Sequence, residues 1–213
     1  MGYVKLPKTK RGEATLKKIC AAAEELFAQK GYYATEVQDI TQKAGVAIGT
    51  LYLYFPDKHN LFLHLMDDLG RKLRREIKEA KLAEESEALI DKERHSIRVF
   101  FSFVQEHFGL FRIVWQAQFV DAEAFKSYYE RFSSGYISEI EKAQEAGEVR
   151  NFDPALISYA LMGIYSFVAL KCFVFDGKEP DNETIEQLVD FISYGLAGKV
   201  NPAPLQHVQV LGD

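Results

Sequence analysis

TEVQDITQKAGVAIGTLYLYFPDK, residues 35–58, carries the densest run of helix starts, stops and turns in the chain. Thr35 followed by Gln38 has the spacing of a capping box, in which a hydroxyl and a side-chain amide satisfy free N–H groups at a helix start. Val37, Ile40 and Ala44 then place an apolar stripe on one side of a short helix. Gly45 stands where the chain must leave that helix in a left-handed conformation, which costs a residue with a Cβ energy. Ala47 to Tyr54 reads as a second short helix, with Leu51 and Phe55 four apart on an inward face. Two short helices about a Gly turn form a helix-turn-helix, whose second helix can enter the DNA major groove. The same pattern also suits a plain corner in a helical bundle, so it needs support from outside the stretch.

The surrounding sequence is helical in both directions. Leu16, Ile19, Ala23, Leu26 and Phe27 predict a supporting helix over Gly12 to Lys30, stopped by Gly31. Lys5 to Arg11 forms a basic, mobile arm before it. Asp57 is a candidate N-cap for a helix carrying Leu61, Leu65, Leu69, Leu73 and Ile77, and the charged run after Lys78 predicts its end. Further helices are predicted from Asp91 to His107 with Gly109 as the stop, over Leu110–Phe119, and from Asp121 to a stop at Gly147. Two more run from Asp153-Pro154 to Phe175 and from Asp181 through Leu196, with a loose tail after Gly198. No strand pattern or repeat is present, so the expected fold is all-α: a three-helix unit over 1–56 and a larger helical domain over 57–213.

Composition sets the class. Among 213 residues, 47% hydrophobic and 13% aromatic content exclude a disordered chain. No apolar run reads as long and charge-free enough for a bilayer, and residues 1–13 lack a signal-peptide core, which predicts a cytoplasmic protein without a membrane partner. Cys20 and Cys172 are expected as free thiols. The net charge of −5 is unevenly spread. Residues 1–60 hold nine Lys/Arg against six Asp/Glu, so +3, which leaves −8 for the remainder. A basic head on an acidic body suits a chain whose head meets phosphate.

The surface of the second short helix points the same way. Thr50, Tyr52 and Tyr54 supply hydroxyls, and Lys58 opens the next helix; such groups hold phosphate oxygens. Ile48 and Leu53 are unusual for an exposed helix but suit contact with thymine methyl groups. Arg11, Ile19, Ala22-Ala23, Leu26-Phe27, Gly31-Tyr32, Thr35, Ile40, Ala44-Gly45-Val46, Gly49-Thr50-Leu51-Tyr52, Tyr54-Phe55, Lys58 and Leu61 together resemble the N-terminal domain of TetR/AcrR transcriptional regulators. The resemblance covers about the first sixty residues. It implies a homodimeric repressor that holds a palindromic operator in double-stranded DNA and releases it when a small effector enters the C-terminal domain. By position it implies that Thr50 and its neighbours Ala47, Ile48, Gly49 and Leu53 approach bases. Tyr52, Tyr54 and Lys58 would hold the backbone, and Thr35 would present its helix to a phosphate. Ala47 and Ile48 depart from the family's usual polar residues, and Ala47 forfeits a cap bond worth about 1 kcal/mol. Readout by shape, phosphates and methyl contacts is therefore expected, with the arm adding minor-groove contact.

The body is rich in aromatic residues. Most belong to the core, yet they outnumber what one side of a bundle needs, and an apolar cavity with a few polar tips is the usual form of a ligand site. Phe101, Phe108, Arg112, Trp115, Tyr128, Phe132 and Tyr165 are the candidate effector contacts, and the effector is expected to be hydrophobic. The Leu156–Phe175 segment is apolar on nearly every side and must be covered on all of them. Ala160, Gly163, Phe167, Leu188 and Ile192 are the candidate contacts of a four-helix dimer interface. The histidines show no metal-ligand spacing, though His64 lies near Asp67 and Asp68. No nucleophile elbow or phosphate loop appears, so neither cofactor nor catalysis is expected. The competing reading is a lipid- or drug-binding helical protein whose helix pair is only structural; a hydrolase is a weaker third.

Overall fold

The computed structural model describes residues 4–83 and 88–197. The loose tail expected after Gly198, and part of the charged link after Lys78, lie outside them. Among the described residues every regular element is helical. They are α1 (Lys10–Lys30), α2 (Val37–Ala44), α3 (Ile48–Tyr54), α4 (Lys58–Ala83), α5 (Leu89–Glu106), α6 (Phe108–Val120), α7 (Ala122–Glu145), α8 (Pro154–Ala169) and α9 (Asn182–Ala197). A π-helical turn, Leu170–Phe175, prolongs α8.

Helices α1 to α3 form the head around Ile19, Ala23, Phe27, Ile40, Leu51 and Phe55, each fully buried. The turn between α2 and α3 is the one expected: Gly45 sits at φ 66°, ψ 39°, and its N–H donates to the Gln42 and Thr41 carbonyls. The capping box, however, lies one residue later. Glu36 is the N-cap, and the Asp39 carboxylate accepts its N–H at 3.3 Å. Thr35 is instead fully buried and donates its hydroxyl to Gly31 O at 2.7 Å and Leu26 O. A Thr inside the head serves it better as a clasp between the end of α1 and the start of α2.

The head does not hang on a single helix. One buried cluster runs from α1 through Leu61, Phe62, Leu65, Met66 and Leu69 of α4 to Leu110, Ile113 and Val114 of α6. Gln116 on α6 closes the contact. Its Oε1 accepts from Tyr32 N–H at 2.8 Å, and its Nε2 donates to Phe27 O at 3.0 Å, so one side chain satisfies backbone groups at the end of α1. Tyr33 donates to Phe119 O at 2.8 Å, and His59 meets the Asp121 carboxylate at 3.1 Å. Gly109, expected as a helix stop, lies inside α6, where that helix packs against α1 beside Ala28 and Glu24. The stop falls at His107.

A second cluster holds the far end of the body. It joins Ile97, Phe101, Ile140, Leu161, Tyr165, Val189 and Ile192 from α5, α7, α8 and α9. Beneath it lies a buried charge network: Glu93, 1% exposed, takes a hydrogen bond from Tyr165 and an ion pair from Lys81, which also pairs with Glu139. Two expectations change here. Ile192 is core, not interface, because its side of α9 faces α5. The Pro154–Phe175 helix is long and apolar enough to cross a membrane by length and composition, with a hydropathy of 1.7 over its richest window. Its inner face, with Leu161, Met162 and Tyr165, is packed within the body.

Candidate nucleic-acid interface and internal cavity

Helix α3 is anchored by Leu51 and leaves its other side open. Ile48 is 43% exposed, Tyr52 49% and Leu53 63%, and Ala47 and Gly49 are exposed beside them. Spacings of four place Ile48 with Tyr52 and Gly49 with Leu53, which makes one outward surface. Thr50 is half-buried, its N–H donating to Ala47 O at 2.9 Å. Ala47 is the N-cap and supplies no side-chain bond, as its identity requires.

Three of the expected backbone contacts are placed otherwise. Thr35, as described, is enclosed. The Lys58 ammonium donates to Tyr32 O at 2.9 Å and Thr35 O at 2.7 Å, and stands 4.5 Å above the Tyr32 ring. It pins α4 to the α1–α2 link instead of pointing outward. Tyr54 donates its hydroxyl to Gly12 O at 3.2 Å, and its carbonyl accepts from Lys5 N–H at 2.9 Å. The arm expected to be mobile is thereby tied at Lys5 beside α3. The cations left exposed there are Lys5, Lys8, Lys10 and Arg11, none in an ion pair with another described residue. Sequence spacing alone cannot distinguish a lysine aimed at solvent from one aimed at a carbonyl of its own loop.

The cavity lies on the opposite side of the shared core. It is an apolar space of about 60 Å³ walled by Leu69, Leu73 and Ile77 of α4, Phe100, Phe103 and Val104 of α5, and Phe111 and Val114 of α6. Tyr128, Tyr129, Phe132 and Tyr136 of α7, Met162, Tyr165 and Ser166 of α8, and His107 between α5 and α6 complete it. Its polar groups are His107, Ser166 and four tyrosine hydroxyls, which are held neutral: burial pushes Tyr128, Tyr129, Tyr136 and Tyr165 above the ordinary tyrosine pKa, and Glu93 adds to the rise at Tyr136 and Tyr165. Of the expected contacts, Tyr128, Phe132 and Tyr165 line this space. Phe101 is packed in the far cluster, Arg112 is exposed, Phe108 meets Phe173 at a tilt, and Trp115 meets Phe111 and Phe167 edge to face. The wall supplied by α4 lies outside the expected effector contacts; the leucine stripe of that helix, whose spacing predicts packing on the head and onward onto the body, also borders the cavity.

His64, Asp67 and Asp68 are engaged with other groups. His64 packs its ring on Phe55, Asp67 pairs with Arg131, and Asp68 pairs with Arg71 and Lys72. Neither cysteine is bridged; Cys172 is buried and Cys20 half-buried, and burial pushes the Cys20 thiol up to about 12.

Residues 19–65 match the model of the bacterial regulatory proteins of the tetR family. A stretch of 83 residues is 36% identical to the fatty acid metabolism regulator protein of Bacillus subtilis, covering 37% of this chain and 43% of that one. An uncharacterised helix-turn-helix transcriptional regulator of B. subtilis, YhgD, is 25% identical over 188 residues, 85% of this chain and 96% of the relative. The fold superposes on that of a Syntrophomonas wolfei protein assigned to the TetR family with a TM-score of 0.76 at 23% identity, covering 90% of this chain and 99% of the other. The match over 19–65 spans the helix pair and supports its reading as a DNA-binding element.

Proposed function

We propose that the chain is a DNA-binding transcriptional regulator of the TetR type, acting in the cytoplasm as a dimeric repressor of a palindromic operator that a hydrophobic effector releases. The observation that carries this is the sharing of α4 and α6 between the two sites. Leu69 and Val114 belong to the core that supports the head, and both also wall the cavity. An effector entering there displaces the helices on which α1 rests, through Gln116 and the leucines of α4.

A space of about 60 Å³ holds a few water molecules, whereas effector sites run to roughly 300 Å³ or more. Binding must therefore spread the surrounding helices, which supplies the differential affinity that release requires. On the DNA side, Ile48, Gly49, Tyr52 and Leu53 enter the major groove, with Ala47 and Thr50 at its edge, while Lys5, Lys8, Lys10 and Arg11 meet phosphates or the minor groove. Dimerisation is carried by the outward side of α8 and α9, where Leu156 is 65%, Phe167 63% and Phe191 67% exposed beside Ala160 and Gly163, with Leu188 at its margin. Two copies closing these faces about a two-fold axis bury them in a four-helix arrangement.

Selection of the full chain against random duplexes tests the reading. An enriched inverted repeat, bound with strong salt dependence by two chains and released by an apolar compound, is expected. No enrichment, or binding indifferent to salt, overturns it.

A further inference from the structure

A second and wider recess, of about 650 Å³, opens between α4, α5 and α7. It shares Ile77, Phe132 and Tyr136 with the apolar cavity, so the two spaces meet at a common wall. Their chemistry differs sharply. The recess is lined by Arg74, Lys78 and Lys81 of α4 and by Arg131 and Lys142 of α7, on a body whose overall charge is negative. Its acids are already occupied: Glu139 pairs with Lys81, and Glu148 accepts from Leu89 N–H at 2.9 Å. Arg131 is engaged with Asp67. Arg74, Lys78 and Lys142 have no ion-pair partner among the described residues. The Arg74 guanidinium lies 5.0 Å over the Phe132 ring, at the seam between the two spaces.

An unpaired, half-buried guanidinium resting on an aromatic wall is a ready receiver for a bidentate anion. An apolar chamber behind it receives what that anion carries. We propose that the effector is an anionic amphiphile, its single carboxylate or phosphate head held by Arg74 and Lys78 in the recess and its chain inserted past Phe132 into the cavity. This rests on the effector chamber proposed above and adds the head group. Both receiving cations stand on α4, the helix that carries the head, so the head group itself pulls on the element that must move. Neutral or cationic compounds of the same length lack that grip.

The test uses the full chain with four 16-carbon probes below their micelle concentrations: sodium palmitate, hexadecyl phosphate, hexadecan-1-ol and hexadecyltrimethylammonium. Affinity is read by calorimetry, and effect by release of the selected operator. At least one anionic probe is expected to bind 10-fold or more tighter than the alcohol, and the tighter of the two assigns the head group. In the Arg74→Gln/Lys78→Gln double variant this advantage falls below about 3-fold, while alcohol binding stays unchanged; Arg74→Lys restores part of it. Arg74 and Lys78 are at least partly exposed, so the melting temperature of each variant confirms folding. Equal binding of acid, alcohol and ammonium probes overturns the head-group assignment and leaves the chamber standing. Loss of alcohol and acid binding alike in the folded double variant overturns it as well. Absence of binding by any probe overturns both.

Discussion

The head and the body solve opposite problems with similar residues. In the head, polar groups turn inward to lock the backbone: Thr35 clasps two carbonyls, Lys58 two more, and Tyr54 holds Gly12. What remains outside is a largely apolar surface on α3 flanked by the exposed cations Lys5, Lys8, Lys10 and Arg11. In the body, large aromatic side chains face inward yet leave space, and charge is carried into the interior by Glu93 and Lys81. A reader of DNA needs a rigid frame with one free face. A sensor needs a core that gives. The two regions thus differ in how completely their interiors are filled as well as in charge.

The contrast is broken most directly by removing core volume. Phe27→Ala in the fully buried head should cost about 3–5 kcal/mol by urea denaturation, while Phe132→Ala at the cavity wall should cost less than half that. Similar losses at both would show the body to be packed as tightly as the head.

Lys81→Met comes next. It leaves Glu93 buried with only the Tyr165 hydroxyl, at a cost of about 3 kcal/mol. Burial alone would lower the Lys81 pKa, but Glu93 and Glu139 outweigh it and raise the value above 10.5. A raised lysine stabilises the fold below its unfolded pKa and loses that contribution as pH climbs through the folded one. The gap between wild type and Lys81→Met should therefore be flat from pH 7 to 9 and shrink only above pH 10.5.

Lys58→Met sharpens the account of the head. Losing two charge-assisted bonds to carbonyls should lower stability by about 2 kcal/mol. The salt dependence of DNA binding should be unchanged, because this ammonium faces its own loop. A slope reduced by about one would mean that it reaches phosphate instead. The smallest effect is a gain. Ala47→Ser supplies the missing N-cap at φ −69°, ψ 149° and should raise the melting free energy by about 1 kcal/mol.

The order of helices, the Gly45 turn and the inward pair Leu51 and Phe55 were legible because periodicity and one left-handed glycine specify them locally. The capping box was displaced by one residue because Thr35 and Glu36 can both accept an N–H, and the choice depends on whether Leu26 O and Gly31 O need a donor. Lys58 was misplaced for the same reason: a loop carbonyl leaves no trace in spacing. Gln116, which ties the head to the body, has no signal at all beyond a polar side chain on an apolar helix. In the cavity, Tyr128, Phe132 and Tyr165 were recovered from aromatic density, while Phe101, Phe108, Arg112 and Trp115 were not distinguishable from them. Which of several aromatic faces meets empty space is set by how α4 crosses α7, and that is a property of packing.

The central claim is that the open side of α3 reads duplex DNA on a head whose polar groups are spent on rigidity. Affinity of the Tyr52→Ala/Leu53→Ala variant for the selected operator tests it most directly, alongside its melting temperature. Both side chains are exposed, so the fold should melt within a few degrees of wild type while operator affinity falls about 100-fold or more. Unchanged affinity in a folded variant would contradict the account.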